Sequence, residues 1–210
     1  MIFKNQYKEY NKEFGTITKI DTFKNNLVVI FEHGIGLLSV SRDPKTELES
    51  IPYLASRNVI PDQVSIISDS FGSMWHDSVI KVTDIESIFG VDTVAKKIWQ
   101  LSGDGFKCIS DHTVTKFLND FIDLSEYDQK EYQGHINVKT HYNAFKRDVI
   151  FTYYKDLPIR DESGLIVSWK PGTTWSLCYN IETSSFTTFY DWYPLESCNI
   201  DNIFFSFDKE

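Results

Sequence analysis

Cysteine, methionine and unbroken apolar sequence are all scarce in this chain. Three cysteines, Cys108, Cys178 and Cys198, are distributed over 210 residues, and none sits in a Cys-x-x-Cys pair. That excludes a disulfide framework and the spacing used by zinc ribbons and thioredoxin-type sites, and it suits a reducing compartment. No run approaches the ~20 apolar residues of a membrane-spanning helix, and the first fourteen residues, charged or amide-bearing every few positions, lack a signal-peptide core. No Asn-x-Ser/Thr sequon occurs. Positive charge is also short: 21 Lys and Arg against 30 Asp and Glu give a formal charge of -9, which speaks against a nucleic-acid backbone or an anionic membrane as partner. Protein and glycan remain as partner classes.

Aromatic residues are plentiful. Sixteen Phe, eleven Tyr and five Trp make up 15% of the chain, a composition suited to pleated strands and to large interfaces. The run Leu27 to Phe31, the turn Glu32-His33-Gly34 and the return Ile35 to Val40 read as one hairpin. Ile88 to Asp92 and Lys97 to Leu101, joined by Thr93 to Lys96 and closed by Ser102-Gly103-Asp104-Gly105, read as a second. Residues 41–61 read as a long connection with a short strand near Tyr53. Asn137 to Tyr142 and Asp148 to Tyr154 read as strands, Leu157 to Thr174 as a long loop with two prolines, and Trp175 to Asn180, Phe186 to Tyr190 and Ile203 to Phe207 as a meander.

One helix is expected at about 111–124. Val114, Phe117, Leu118, Phe121 and Ile122 share one face at helical spacing, with Ser110 or Asp111 as the cap, and residues 125–134 follow as a surface loop.

Several strands end on an acid or amide, at Phe31-Glu32, Val91-Asp92, Tyr179-Asn180 and Phe207-Asp208. Recurring hairpins of this kind suggest an incomplete β-propeller-like array, although Asp and Asn favour turns in any all-β protein. The fold class is therefore mainly β: antiparallel hairpin and meander repeats with one amphipathic helix. Residues 1–210 are expected to form one β-rich domain, subdivided as 1–134 and 135–210. Because Ile203 to Phe207 has no strand after it, the domain is expected to be incomplete at its C-terminus.

The search for chemistry yields little. His135 and His141 are six apart, compatible with a metal pair that lacks further ligands, and equally with a turn His and a strand His. His76-Asp77 beside Ser73 or Ser78 contains the residue types of a hydrolase triad, but no Gly-x-Ser-x-Gly elbow accompanies them. Ser102-Gly103-Asp104-Gly105 is neither a dinucleotide-binding nor a Walker motif and reads as a turn. Ser68-x-Ser70-x-Gly72-x-x-Trp75 approximates the turn of sialidase-type propellers with Ser in place of the Asp, a hairpin-tip feature remote from catalysis. No catalytic, cofactor or metal residue is assigned. The candidates left are aromatic: Tyr190, Trp192 and Tyr193 before Pro194, and Trp169 and Trp175 flanking Lys170-Pro171-Gly172. Core packing, a protein interface and a glycan contact are the three readings for them.

The stretch Ile60 to Trp75, followed by Asp77-Ser-Val-Ile-Lys81 and Phe89-Gly-Val-Asp-Thr-Val-Ala-Lys-Lys-Ile-Trp99, resembles large virion-associated tail proteins of crAss-like bacteriophages, described as tail stabilisation or muzzle components. Asp148 to Thr152, Trp175 to Asn180 and Phe186 to Pro194 look like strand repeats of the same proteins, and the likeness covers about Phe14 to Asp208. It implies a structural, non-enzymatic protein of the tail, β-rich and propeller-like, without cofactor, made in the bacterial cytoplasm and partnered by other virion proteins in an oligomeric assembly. Family members are longer than 210 residues. Carbohydrate binding at a host surface is the alternative function, with a glycoside-active enzyme a more distant one.

Overall fold

The computed structural model describes residues 12–39, 64–127, 130–201 and 203–208. The short strand expected near Tyr53 lies outside them. Strands follow one another as antiparallel meanders. The first sheet contains β1 (Ile17–Phe23), β2 (Asn26–Phe31), β3 (Ile35–Ser39) and β4 (Ser65–Ser68). The second contains β5 (Val79–Val82), β6 (Ser87–Asp92), β7 (Lys97–Ser102) and β8 (Gly105–Cys108). The third contains β9 (Ile136–Asn143), β10 (Asp148–Arg160), β11 (Ile166–Asn180) and β12 (Ser185–Tyr190). A two-stranded sheet of β13 (Pro194–Ile200) and β14 (Ile203–Asp208) follows.

Consecutive sheets pack face to face. Phe23, Val28, Ile30 and Ile35 of the first sheet meet Val79, Ile88, Trp99 and Leu101 of the second. On the opposite face of the second sheet, Val82, Phe89, Val91 and Ile98 meet Ile136, Val138, Phe151, Tyr153, Leu177 and Tyr179 of the third. The second sheet thus has neighbours on both sides, which is why β6 is buried at every position and carries no polar side chain from Ile88 to Val91. The fourth sheet lies on β9. Asn199 donates through Nδ2 to Tyr142 O at 2.8 Å and accepts from Ala144 N–H at 3.0 Å.

The first strands of all four sheets converge. Lys19 of β1 donates to Val79 O of β5, Thr140 of β9 donates to Ser78 O, and Lys139 of β9 joins Asp77 to Glu196 of β13. Lys19, Asp77, Val79, Lys139, Thr140 and Glu196 border a polar cavity of about 210 Å³. The architecture is four antiparallel sheets with one helix, and among the described residues no sheet closes into a barrel.

The repeat of strand-terminal polar residues has a physical basis at the hairpin tips. Asp92 Oδ1 accepts from Val94 N–H and Ala95 N–H, and Asn180 Oδ1 accepts from Thr183 N–H. Asn143, not included in the sequence pattern, does the same for Lys146 N–H. Each opens a four-residue turn whose last residue, Lys96, Ser184 or Arg147, is left-handed with φ between 50° and 56°. Glu32 differs: its carboxylate accepts from the N–H and hydroxyl of Thr16. Asp208 opens no described turn and accepts from the Ser206 hydroxyl.

Four expectations need correction. Leu157 to Thr174 is not a loop: β10 runs to Arg160 and β11 begins at Ile166, so only the short link between them is irregular. The prolines misled because they normally interrupt sheets. Here β9 and β12 stop short of Pro158 and Pro171, so no described strand needs the missing N–H groups. The helix, α1, is shorter than expected, spanning Thr115–Phe121. His112 is left-handed at φ 71°, Ser110 accepts from Ile98 N–H and Asp111 pairs with Lys97, so neither residue caps α1. β14 has its hairpin partner before it, in β13, a strand that its polar residues concealed. Finally, within the stretch expected as a surface loop, Tyr132 is buried and makes a T-shaped ring contact with Trp169.

Candidate interaction surface

The aromatic candidates separate into three places. Trp175 is in the core, 6% exposed, stacked on Tyr153 and donating to Phe121 O. Its alternation with Leu177 and Tyr179 in the sequence already implied a shared inward face. Trp169 is half-buried on β11, against Tyr132 and face to face with the His135 ring at 3.6 Å. Tyr190 and Trp192 come together, with ring centroids 4.7 Å apart, and Trp192 continues to Phe204 at 6.0 Å. Tyr193 is half-buried in the link from β12 to β13.

Trp192 borders an open groove of about 630 Å³, together with Phe145, Ile203, Phe204, Ser206 and Asp208. Tyr190 turns its hydroxyl inward, donating to Asp148 Oδ2 at 3.3 Å. Burial, then the neighbouring Cys178 and Asp148, push the Tyr190 hydroxyl well above the ordinary tyrosine range. Burial likewise pushes the Cys178 thiol up to about 11. Both groups are therefore neutral at physiological pH and serve packing and hydrogen bonding.

The residues around β14 form a surface that the sequence reading missed. Strand alternation places Ile203, Phe205 and Phe207 on one face of β14, with Ile200 and Cys198 directly opposite on β13. That face is turned away from β9, and its large side chains are exposed: Ile200 55%, Ile203 57%, Phe205 43% and Phe207 66%. Glu196, opposite Phe207, borders it. The opposite face of the hairpin carries Ser197 and Asn199, which bond to the third sheet. An apolar strand buried on both sides and one exposed on one side look alike in sequence, so composition alone could not mark this face. Phe145, in the turn after Asn143, was the more legible signal, since an aromatic there has no sheet to enter; it is 69% exposed.

Ser73 and Ser78 are buried, hydrogen-bonded to one another and to Trp75 O, while His76 is exposed and contacts Asp77. His135 contacts Asp156, whereas His141 contacts Ser197 and Pro194 O, so the two imidazoles share no partner. Among the described residues, no group of three or more His, Cys, Asp or Glu side chains is placed to hold a metal ion. Ser68 Oγ accepts from Phe71 N–H, and Gly72 is clamped between Asp92, which accepts its N–H, and the Trp99 indole, which donates to its carbonyl. The segment resembling a propeller turn therefore links the first sheet to the second. No described helix is long and apolar enough to cross a membrane.

The family model described as Crassvirus muzzle protein matches residues 3–210, essentially the whole chain. No curated protein matches it.

Proposed function

The chain belongs to the Crassvirus muzzle protein family, and from that premise we propose that it is a non-enzymatic structural part of the phage tail that works through protein-protein contacts on the outer face of β13 and β14. The observation that carries this reading is the exposed row Ile200, Ile203, Phe205 and Phe207. An exposed apolar face with a carboxylate, that of Glu196, at its border is costly in water and is characteristic of a contact surface. Its neighbours in the particle are other virion proteins. The acidic balance of the chain, at -9, supports protein partners over nucleic acid.

A second reading, glycan contact, has support in the Trp192 groove, where an indole stands beside the Ser206 hydroxyl and the Asp208 carboxylate. One experiment separates the two. The chain is co-expressed with the other structural proteins of the particle and sedimented, as wild type and with Phe205→Asp and Phe207→Asp combined. Co-sedimentation that the double variant loses, at unchanged circular dichroism, supports protein contact. Equal co-sedimentation of both, with retention on host polysaccharide that Trp192→Ala abolishes, would overturn it.

A further inference from the structure

The β10–β11 hairpin outruns its own sheet. β9 pairs with β10 as far as Lys155, opposite Ile136, and β12 pairs with β11 only from Ser176, opposite Tyr190. Residues 156–174 therefore continue as a two-stranded arm. A lone ribbon of this kind is marginal in water and needs a surface to lie on.

Among the described residues, only one of its faces has such a surface. Asp156, Pro158 and Trp169 share a face by register, and there Asp156 N–H donates to His135 O while Trp169 stacks on the His135 ring. On the other face Leu157 stands opposite Lys170 and Ile159 opposite Ser168. Leu157 and Ile159 are 40% and 41% exposed. Lys170 and Glu162 are exposed, and neither forms an ion pair among the described residues.

We propose that this arm is a homodimerisation element, its Leu157–Ile159 face stacked antiparallel on the same face of a second copy, with Lys170 of each arm against Glu162 of the other. The arm is self-complementary in the way a twofold interface requires. At a rise of ~3.4 Å per residue, the level of Leu157 and Lys170 lies about 7 Å to one side of Ile159, and the tip beginning at Asp161 lies about 7 Å to the other. A twofold axis at Ile159 therefore sets the basic level of one arm over the acidic tip of the other. A parallel arrangement sets Lys170 against Lys170. Asp161 is occupied within its own turn, accepting from Ser163 and Leu165 N–H, which leaves Glu162 for the contact. The face formed by Phe205 and Phe207 takes no part in this contact.

Sedimentation velocity over a range of protein concentrations tests the proposal. Wild type is expected in monomer-dimer exchange. Lys170→Glu and Glu162→Lys each oppose like charges twice per dimer and are expected to raise the dissociation constant by about tenfold or more. The double variant, with the charges exchanged, is expected to return towards wild type. Phe205→Asp is expected to dimerise as wild type does. The proposal is overturned by a wild type that stays monomeric, by single variants that dimerise normally, or by a double variant no better than either single. Loss of the dimer with Phe205→Asp alone would also overturn it, while leaving the contact role of the β13–β14 face standing.

Discussion

Gly90 stands directly across the β6–β7 ladder from Trp99, and the indole fills the space where residue 90 would carry a Cβ: one placed there lies 2.2 Å from Cζ2 of the ring. The same indole donates from Nε1 to Gly72 O at 3.0 Å, so the absence of a side chain at 90 lets Trp99 pin the crossover from the first sheet onto the second. Gly90→Ala is expected to cost about 1–3 kcal/mol, the usual penalty of overpacking a tight core. Gly103→Ala, where the nearest atom is Lys24 Nζ at 3.8 Å, is the matched control. Urea unfolding of the two variants checks this; a Gly90→Ala protein as stable as the control would refute the packing argument.

The hairpins of the first two sheets were legible because their strands are β-branched and aromatic and their turns polar, so pattern and propensity agree at Val28 to Phe31 and at Ile88 to Val91. Tertiary context defeated the reading elsewhere. β13 carries Ser197 and Asn199 because its inner face meets His141, Tyr142 O and Ala144 N–H, and a strand packed on polar groups lacks apolar alternation. The arm keeps Pro158 and Pro171 because, among the described residues, no third strand runs beside them. Among the aromatic candidates, Trp175 and Trp192 both flank turn signals in sequence, yet one lies under α1 and the other borders an open groove. Only the packing of neighbouring elements distinguishes them.

The hairpin tips supply a second prediction. Asn180 Oδ1 accepts from both the N–H and the hydroxyl of Thr183, and Ser184 closes the same turn in the left-handed region at φ 50°. Asn180→Ala removes the acceptor and is expected to lower stability by about 1 kcal/mol. Ser184→Gly relieves the backbone and is expected to raise it by up to about 1 kcal/mol. Thermal unfolding of the pair reads both signs; a loss of stability in Ser184→Gly would contradict the account of the turn.

Part of the attachment of β13 to β9 runs through a buried imidazole, which makes that part pH-dependent. A carbonyl can only accept, so His141 Nε2–H donates to Pro194 O at 2.9 Å, and Nδ1 accepts from the Ser197 hydroxyl at 2.8 Å. Burial, reinforced by Lys139, lowers the His141 pKa below its ordinary 6.5, against the opposing pull of Pro194 O, Glu196 and Asp77. Between the lowered folded value and 6.5 the unfolded chain binds more protons than the folded one, so stability rises with pH there. The contribution is complete above 6.5 and is lost as the pH falls towards the folded value, with each tenfold weakening of proton affinity amounting to about 1.4 kcal/mol. His141→Gln preserves a side-chain donor without a titrating ring, so its urea midpoint is expected to change less than that of wild type between pH 7.5 and 5.5. Hydrogen exchange at pH 5.5 is expected to show the wild-type loss of protection concentrated in β13 and β14, because His141 supplies two of the bonds that tie β13 to β9, beside those of Asn199 and the Lys139–Glu196 pair. Equal pH slopes in the two proteins would place the proton uptake elsewhere.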